Sequence, residues 1–256
     1  MSAGNVSNTA DVIRFLDDPA SDGATNMARD EVLLSQVGDG RSLSTLRFYQ
    51  WSAPTISLGY FQPYREYVEL TPPLNSLPVV RRQTGGGAIL HDLELTYSLA
   101  LSLDDPLFST GPNKLYELAH EAIRDALRLF DVLAKPAGFS DGSGASRGPF
   151  FCFERRHRYD LLIAADKIAG SAQRRTRRAV LQHGSIILAN RFFQQPTSSI
   201  DRPFEETVMK LRRRLIVEFS RAFHRPFIQG QWTDPELEQA GSYALKYADD
   251  SWTKRS

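Results

Sequence analysis

Cysteine is almost missing from this chain: 256 residues hold one, Cys152. A single thiol cannot close an internal disulfide, and no Cys/His cluster has the spacing of a zinc site, so no metal is expected. An excess of charge of either sign is also missing. Thirty-one Lys/Arg face 30 Asp/Glu, for a formal charge of +1, so no global field selects a nucleic acid or a membrane as partner. No apolar run approaches the roughly 18–20 residues that span a bilayer. The first 23 residues are rich in Ser, Asn, Ala and Asp, without the basic start and apolar stretch of a secretory signal. The expected compartment is the cytoplasm.

What is present is ordinary for a globular protein: 41% hydrophobic and 24% charged residues, enough to bury a core. Strands are expected at Val12–Phe15, Leu46–Trp51, Leu77–Arg82, Ala88–Leu90, Leu95–Leu101, Tyr159–Ala164, Lys167–Gln173 and Ala179–Ala189. Amphipathic spacing predicts helices over Asn26–Val37, Lys114–Phe130 and Glu205–Phe223, the second ended by Pro136. Ala165-Asp166 reads as a hairpin turn, and Lys135–Gly148 as a long Gly/Ser/Asp/Pro loop. From Pro226 the sequence is polar and aromatic without a strong period. The reading is one α+β domain over 1–256, with a core at about 25–220, a polar extension over 226–256, and a largely antiparallel or mixed sheet flanked by helices.

Two stretches carry the chemistry. In Arg81-Arg82-Gln83-Thr84-Gly85-Gly86-Gly87-Ala88-Ile89-Leu90-His91-Asp92, three glycines bring bare backbone N–H groups close to a ligand, and two arginines on the preceding strand offer donors to a phosphate or carboxylate. It is not a P-loop, since no Gly-Lys-Ser/Thr follows. The second stretch joins Cys152-Phe153, Lys167-Ile168-Ala169-Gly170-Ser171-Ala172-Gln173 and Gln182-His183-Gly184-Ser185. Taken singly, these residues have plain structural readings: a tight hairpin, a small buried thiol, a solvated lysine, core histidines.

Together they match a family. Arg81-Arg82-x-Thr84-Gly85-Gly86-Gly87 with His91-Asp92, then Lys167-Ile168-x-Gly170-Ser171-Ala172, then His183-Gly184, resemble in order the motifs of the superfamily of lipoate–protein ligases, octanoyltransferases and biotin ligases. The similarity spans roughly residues 25–220 and is nearest to the octanoyltransferases of bacterial lipoate assembly. It implies a biotin/lipoate ligase-like catalytic domain in which Cys152 holds an acyl group as a thioester and Lys167, fifteen positions later, activates it. Arg81, Arg82, Thr84, Gly85, Gly86, Gly87, His91, Gly170, Ser171, Ala172, His183 and Gly184 would bind substrate, with Gly170-Ser171 supplying oxyanion donors. The implied donor is octanoyl–acyl carrier protein. The implied acceptor is a lysine of a lipoyl-accepting protein, such as the glycine-cleavage H protein or an E2 lipoyl domain.

The implied chemistry balances without a cofactor. An ordinary thiol is only about 3% thiolate at pH 7, a share that a neighbouring ammonium raises. Exchange of one thioester for another is nearly even in free energy, and aminolysis to an amide is downhill. The alternatives are an ATP- and Mg-dependent lipoate–protein ligase with Cys152 incidental, and a non-catalytic acyl- or cofactor-binding module. Tyr60, Ile89, Leu90, Phe151 and Phe153 are candidates for an acyl slot. Arg155, Arg156, Arg158, Arg174, Arg175, Arg177 and Arg178 would form a basic rim that steers acidic partners. Two departures from the octanoyltransferase pattern are the basic run Glu154–Asp160 and the Ala-Asp turn before Lys167.

Overall fold

The computed structural model describes residues 12–138, 149–154, 157–200 and 202–255. Along the chain run β1 (Ile13–Asp17), α1 (Gly23–Gly38), β2 (Thr45–Tyr49), β3 (Thr55–Leu58), α2 (Arg65–Val68), β4 (Val79–Arg81), β5 (Ile89–His91), β6 (Glu94–Ser102), α3 (Lys114–Leu127), β7 (Lys135–Pro136), β8 (Leu161–Ile163), β9 (Asp166–Arg175), β10 (Ala179–Ile187), α4 (Phe204–Phe223), β11 (Phe227–Gln229), α5 (Asp234–Ala248) and α6 (Asp250–Thr253). Among the described residues the strands form an eight-stranded sheet, β11-β1-β2-β6-β10-β9-β8-β7, and a three-stranded sheet, β4-β3-β5.

The large sheet is mixed. β1 runs parallel to β2 and β11, and the strands from β2 to β7 pair antiparallel. Its central strands β6 and β10 are buried almost throughout, although Glu94, Thr96 and Ser98 of the one and Gln182, His183 and Ser185 of the other are polar. One face packs against α3 and α4 through Leu115, Ile123, Leu211 and Phe219. The other receives α1, whose Leu33 and Val37 meet Ala100 and Leu181. The expected α+β architecture with a mixed sheet flanked by helices is the one observed.

The departures have local causes. α1 starts three residues before the expected Asn26 because the Asp22 carboxylate caps it, accepting from Thr25 N at 2.9 Å. The helical run from Lys114 ends at Asp131, which turns left-handed at φ 62°. Pro136, expected to stop it, lies in β7. The β8–β9 turn falls one residue earlier than expected, on Ala164 and Ala165, with Ala164 at φ 53° and Asp166 already paired with Ile163.

The segment from Pro226 differs most. It supplies β11, parallel to β1, and then the fifteen-residue α5. A capping box starts α5, Thr233 accepting from Glu236 N while the Glu236 carboxylate accepts from Thr233 N. Tyr247 of α5 is buried with Met27, Tyr49, Trp51 and Val80, so this stretch joins the core. The Arg14 fork closes on Glu236 at 2.6 and 2.9 Å.

Candidate active site

The Gly-rich loop leaves β4 and is held from behind. Arg82 is about 1% exposed; it donates to the carbonyls of Ser57 (2.7 Å), Gly85 (2.8 Å) and Gly87 (2.7 Å) and, through Nε, to Thr84 Oγ1 (3.1 Å). Arg81, equally buried, donates to the carbonyls of Gln62 (2.6 Å), Gly59 (2.9 Å), Thr253 (2.9 Å) and Arg255 (3.0 Å). Burial, then the charge of Arg255, pulls the Arg81 guanidinium down to about 10, so it stays protonated at neutral pH. These donors are spent on main-chain carbonyls. The expectation that both arginines offer forks to a ligand is therefore corrected: they bend the loop and satisfy its carbonyls.

Two glycines make the bend possible. Gly86 has φ 95°, and a Cβ built on Gly59 would stand 1.9 Å from the Gly86 carbonyl oxygen. The loop therefore lies directly on the end of β3.

Thr84 leads into a buried relay. Its hydroxyl meets His183 Nε2 at 2.7 Å, and His183 Nδ1 meets Asp30 Oδ2 at 2.9 Å. A carboxylate only accepts, so Nδ1 carries a hydrogen toward Asp30, and the ring spans from Asp30 to the Thr84 hydroxyl. Asp30 also binds Arg47 at 2.8 Å. Burial opposes the Asp30 charge, but the His183 hydrogen bond and Arg47 outweigh it and hold the carboxyl below its ordinary range.

His91 is likewise interior. It stacks on Trp51 with centroids 3.9 Å apart, and its Nε2 meets Ser57 Oγ at 2.7 Å and its Nδ1 Glu94 Oε1 at 2.6 Å. Burial is the leading cause of its lowered pKa, ahead of the opposing pull of Glu94. Ser57 also accepts from Arg82, so His91 steadies the Gly loop at one remove.

Cys152 sits on the open side of the loop. Its N–H donates to Ala88 O at 2.7 Å, it is half-buried, and its Sγ lies 3.6 Å from a Cβ built on Gly86. A side chain at Gly86 would cover the thiol. Lys167 reaches the same place from β9: its Nζ donates to the Cys152 carbonyl at 2.9 Å and to Asp160 Oδ2 at 2.7 Å. Lys167 and Asp160 are both about 3% exposed, a buried pair of the kind that persists only with satisfied partners. Asp160 takes a further hydrogen bond from His157 N at 2.6 Å. Gly170 leaves room for this pair, since a Cβ there would stand 3.0 Å from Asp160 Oδ1 and 3.1 Å from Lys167 Cδ.

The two motifs therefore converge on one spot: Gly86 in front of the thiol, Lys167 and Gly170 beside it, and the buttress of Arg82, Thr84, His91 and His183 behind. β8 pairs with β9 only as far as Leu161 opposite Ala169, and among the described residues no strand pairs with the outer edge of β9 beyond that point. Across the β9–β10 hairpin the Thr176 N–H donates to Ala179 O at 2.9 Å, so by the alternation of an antiparallel ladder the Gln173 N–H, opposite Gln182, points away from β10. With the period of two along a strand, the Ser171 N–H points the same way.

An interior cavity of about 20 Å³ lies between the two sheets, lined by Met27, Trp51, Ile89, His91, Ala172 and Gly184 among others. Ile89 and Phe153 also cluster with Ile187 against Cys152. Of the expected slot residues these two adjoin the thiol. Leu90 and Phe151 belong to the core of the small sheet, and Tyr60 lies under the Arg255 guanidinium and meets Trp252 edge-on. The cavity holds about one water, so entry of an acyl chain requires its lining to part.

Three residues at the site have no place in the motifs: Asp30, Asp160 and His120. Asp160 closes the basic run Glu154–Asp160, and a carboxylate at the end of that run is the signal available for it. His120 of α3 is buried, with Nε2 at 2.7 Å from Ser171 Oγ and Nδ1 bonded to the Tyr159 carbonyl. Burial, opposed by that carbonyl and by Asp160, lowers its pKa. Of the arginine rim, Arg155 and Arg156 lie outside the described residues. Arg158 packs over Tyr159, Arg175 over Phe108, and Arg174 over Tyr60. Among the described residues no group of three or more His, Cys, Asp or Glu could hold a metal, and no helix is long and apolar enough to cross a membrane.

The profile of the lipoyl protein ligase A/B catalytic domain matches residues 22–213. A protein named octanoyltransferase LipM from Moorella thermoacetica is 34% identical over 96% of this chain and 99% of its own length. A second of that name, from Geobacillus kaustophilus, is 33% identical over 94% and 98%. Among solved structures, a putative lipoate protein ligase from T. acidophilum superposes with a TM-score of 0.74 at 24% identity, over 94% of this chain and 98% of that one; this likeness concerns the fold. By the profile and by these relatives, the chain belongs to the lipoyl protein ligase A/B catalytic domain family.

Proposed function

We propose that this protein is an octanoyltransferase of lipoate assembly that carries the acyl group on Cys152. The observation that carries the reading is the thiol on the open face of the Gly loop, 3.6 Å from the Gly86 Cβ position, with the Lys167 ammonium bonded to its own carbonyl. Full-length relatives named octanoyltransferase support it.

In the first step the Cys152 thiolate attacks the carbonyl of an octanoyl thioester on a carrier protein, the carbon–sulfur bond to the carrier breaks, and the carrier leaves as its thiol. In the second, the ε-amine of an acceptor lysine attacks the Cys152 thioester. The amine gives up a proton, an amide forms, and Cys152 returns as a thiol. Neither step consumes ATP, because each carbonyl enters already activated. The Ser171 N–H, on the outer edge of β9, is the donor assigned to the oxyanion. The acyl chain occupies the cavity between the sheets, where each methylene contributes about 0.8 kcal/mol. The acceptor is a lipoyl-accepting protein, such as the glycine-cleavage H protein or an E2 lipoyl domain, and the setting is the cytoplasm.

Purified protein mixed with octanoyl–acyl carrier protein, without ATP, should gain the mass of one octanoyl group, and Cys152→Ala should not. Absence of an adduct, together with ATP-dependent labelling of a lipoyl domain from free lipoate, would overturn the reading in favour of a ligase.

A further inference from the structure

A second concave feature opens beside the Gly loop, away from the thiol. It is a cleft of about 390 Å³ between the C-terminal end of α1 and the β9–β10 hairpin, and Gln83, Arg174, Arg177 and Arg178 line it. The three arginines are exposed. The acidic groups facing them are Glu31 and Asp39, and Glu31 is already held by Lys246 at 2.7 Å. The cleft is therefore basic on balance.

Gln83 supplies the independent observation. It is 8% exposed, yet its Nε2 is buried without a hydrogen-bond partner. A buried amide donor left unpaired costs about 1–3 kcal/mol; Gln83 lines the cleft, and a turn of its amide toward a ligand oxygen there would satisfy it. Arginines beside a buried amide make a seat for an oxyanion with several acceptor oxygens, which is the chemistry of a phosphate.

The cleft also lies at a defined distance from the thiol. Gln83 and Gly86 are three residues apart, so their Cα atoms are at most about 11 Å from each other. The Cys152 Sγ lies 3.6 Å beyond the Gly86 Cβ position, which puts it within about 16 Å of Gln83. A phosphopantetheine arm has about thirteen bonds between phosphorus and sulfur and, at the reach of extended chain, spans about 15 Å. An arm with its phosphate in the cleft is therefore long enough to bring its thioester to Cys152.

We propose that the cleft formed by Gln83, Arg174, Arg177 and Arg178 seats the phosphodiester of the donor's phosphopantetheine arm and so measures the acyl thioester onto Cys152. This rests on the octanoyltransferase reading for its donor, but its test does not depend on turnover. Calorimetric titration of Cys152→Ala protein would compare phosphopantetheine, pantetheine, inorganic phosphate and ATP. Phosphopantetheine should bind about tenfold more tightly than pantetheine and than inorganic phosphate. The double reversal Arg177→Glu/Arg178→Glu, on exposed positions, should remove that advantage and leave pantetheine binding unchanged, and Gln83→Leu should reduce it. Equal binding of the phosphorylated and unphosphorylated arms, an advantage that survives the reversal, or tighter binding of ATP than of phosphopantetheine would each overturn the assignment. Phosphopantetheine binding without acylation of wild-type Cys152 would leave the cleft standing and sink the transfer mechanism instead.

Discussion

The two sides of the Gly loop are built on opposite terms. Behind it, Arg81, Arg82, His91, His183 and Asp30 are all under 10% exposed, and their polar atoms are tied to carbonyls, hydroxyls and one another. In front, Cys152 is half-exposed; to the side, Arg174, Arg175, Arg177 and Arg178 stand in solvent. The buried side fixes geometry; the open side keeps its valences for what arrives. Residues of one motif thus divide between scaffold and chemistry, and their conservative substitution should have opposite signatures.

The largest expected effect isolates the open side. Cys152→Ala should lower octanoyl transfer by about 10⁴-fold or more while the urea midpoint moves by less than about 1 kcal/mol equivalent; matched losses of activity and stability would erase the contrast. Next comes the buried side. Arg82→Met leaves the Ser57, Gly85 and Gly87 carbonyls without their donor, and equilibrium unfolding should show a loss of about 3 kcal/mol. An unchanged midpoint would mean that the loop is held by something else.

Lys167 stands on the boundary and sharpens the comparison further. Lys167→Met strands the Asp160 charge and should cost about 3 kcal/mol. Asp160→Asn in the same chain should recover about 2 kcal/mol of that, measured as a double-mutant coupling. Iodoacetamide alkylation of Cys152 should stay slow in the double variant, and recovery of alkylation with stability would assign Lys167 to the scaffold alone.

The smallest effect is a pH response far from the site. Burial opposes the Glu236 charge, but hydrogen bonds from Arg14, Ser42 and Thr233 N–H outweigh it and hold the carboxyl at about 2. A depressed carboxyl stabilises the folded state above its ordinary value and loses that contribution as pH falls toward the folded one. Stability should therefore decline between about pH 4.5 and 2, and Glu236→Gln should flatten the decline. Identical acid profiles for the two proteins would refute the role.

Much of this was legible in the residues because it is local. Period two wrote strand β6, apolar ends rich in Val, Leu and Ile wrote β10, period 3.6 wrote α3 and α4, and the glycine run marked the loop. The meeting of Cys152 and Lys167 was legible only through the resemblance, since nothing in fifteen residues says how they fold. Asp30 was not legible at all: its bond to His183 spans 153 positions. α5 was missed although Thr233-Asp234-Pro235-Glu236 spells a capping box, because its polar outer surface weakens the period. Arg81 and Arg82 were read as ligand forks because a sequence shows donors and not the carbonyls that consume them.

Arg81 has one more consequence, in the order of synthesis. Two of its acceptors are the carbonyls of Thr253 and Arg255, 172 and 174 positions downstream. At 5–20 residues per second, a ribosome takes roughly 9–35 s to reach them after Arg81 has been made. The guanidinium at the root of the Gly loop spends that interval without its final partners, so the site is completed only once α6 has been made.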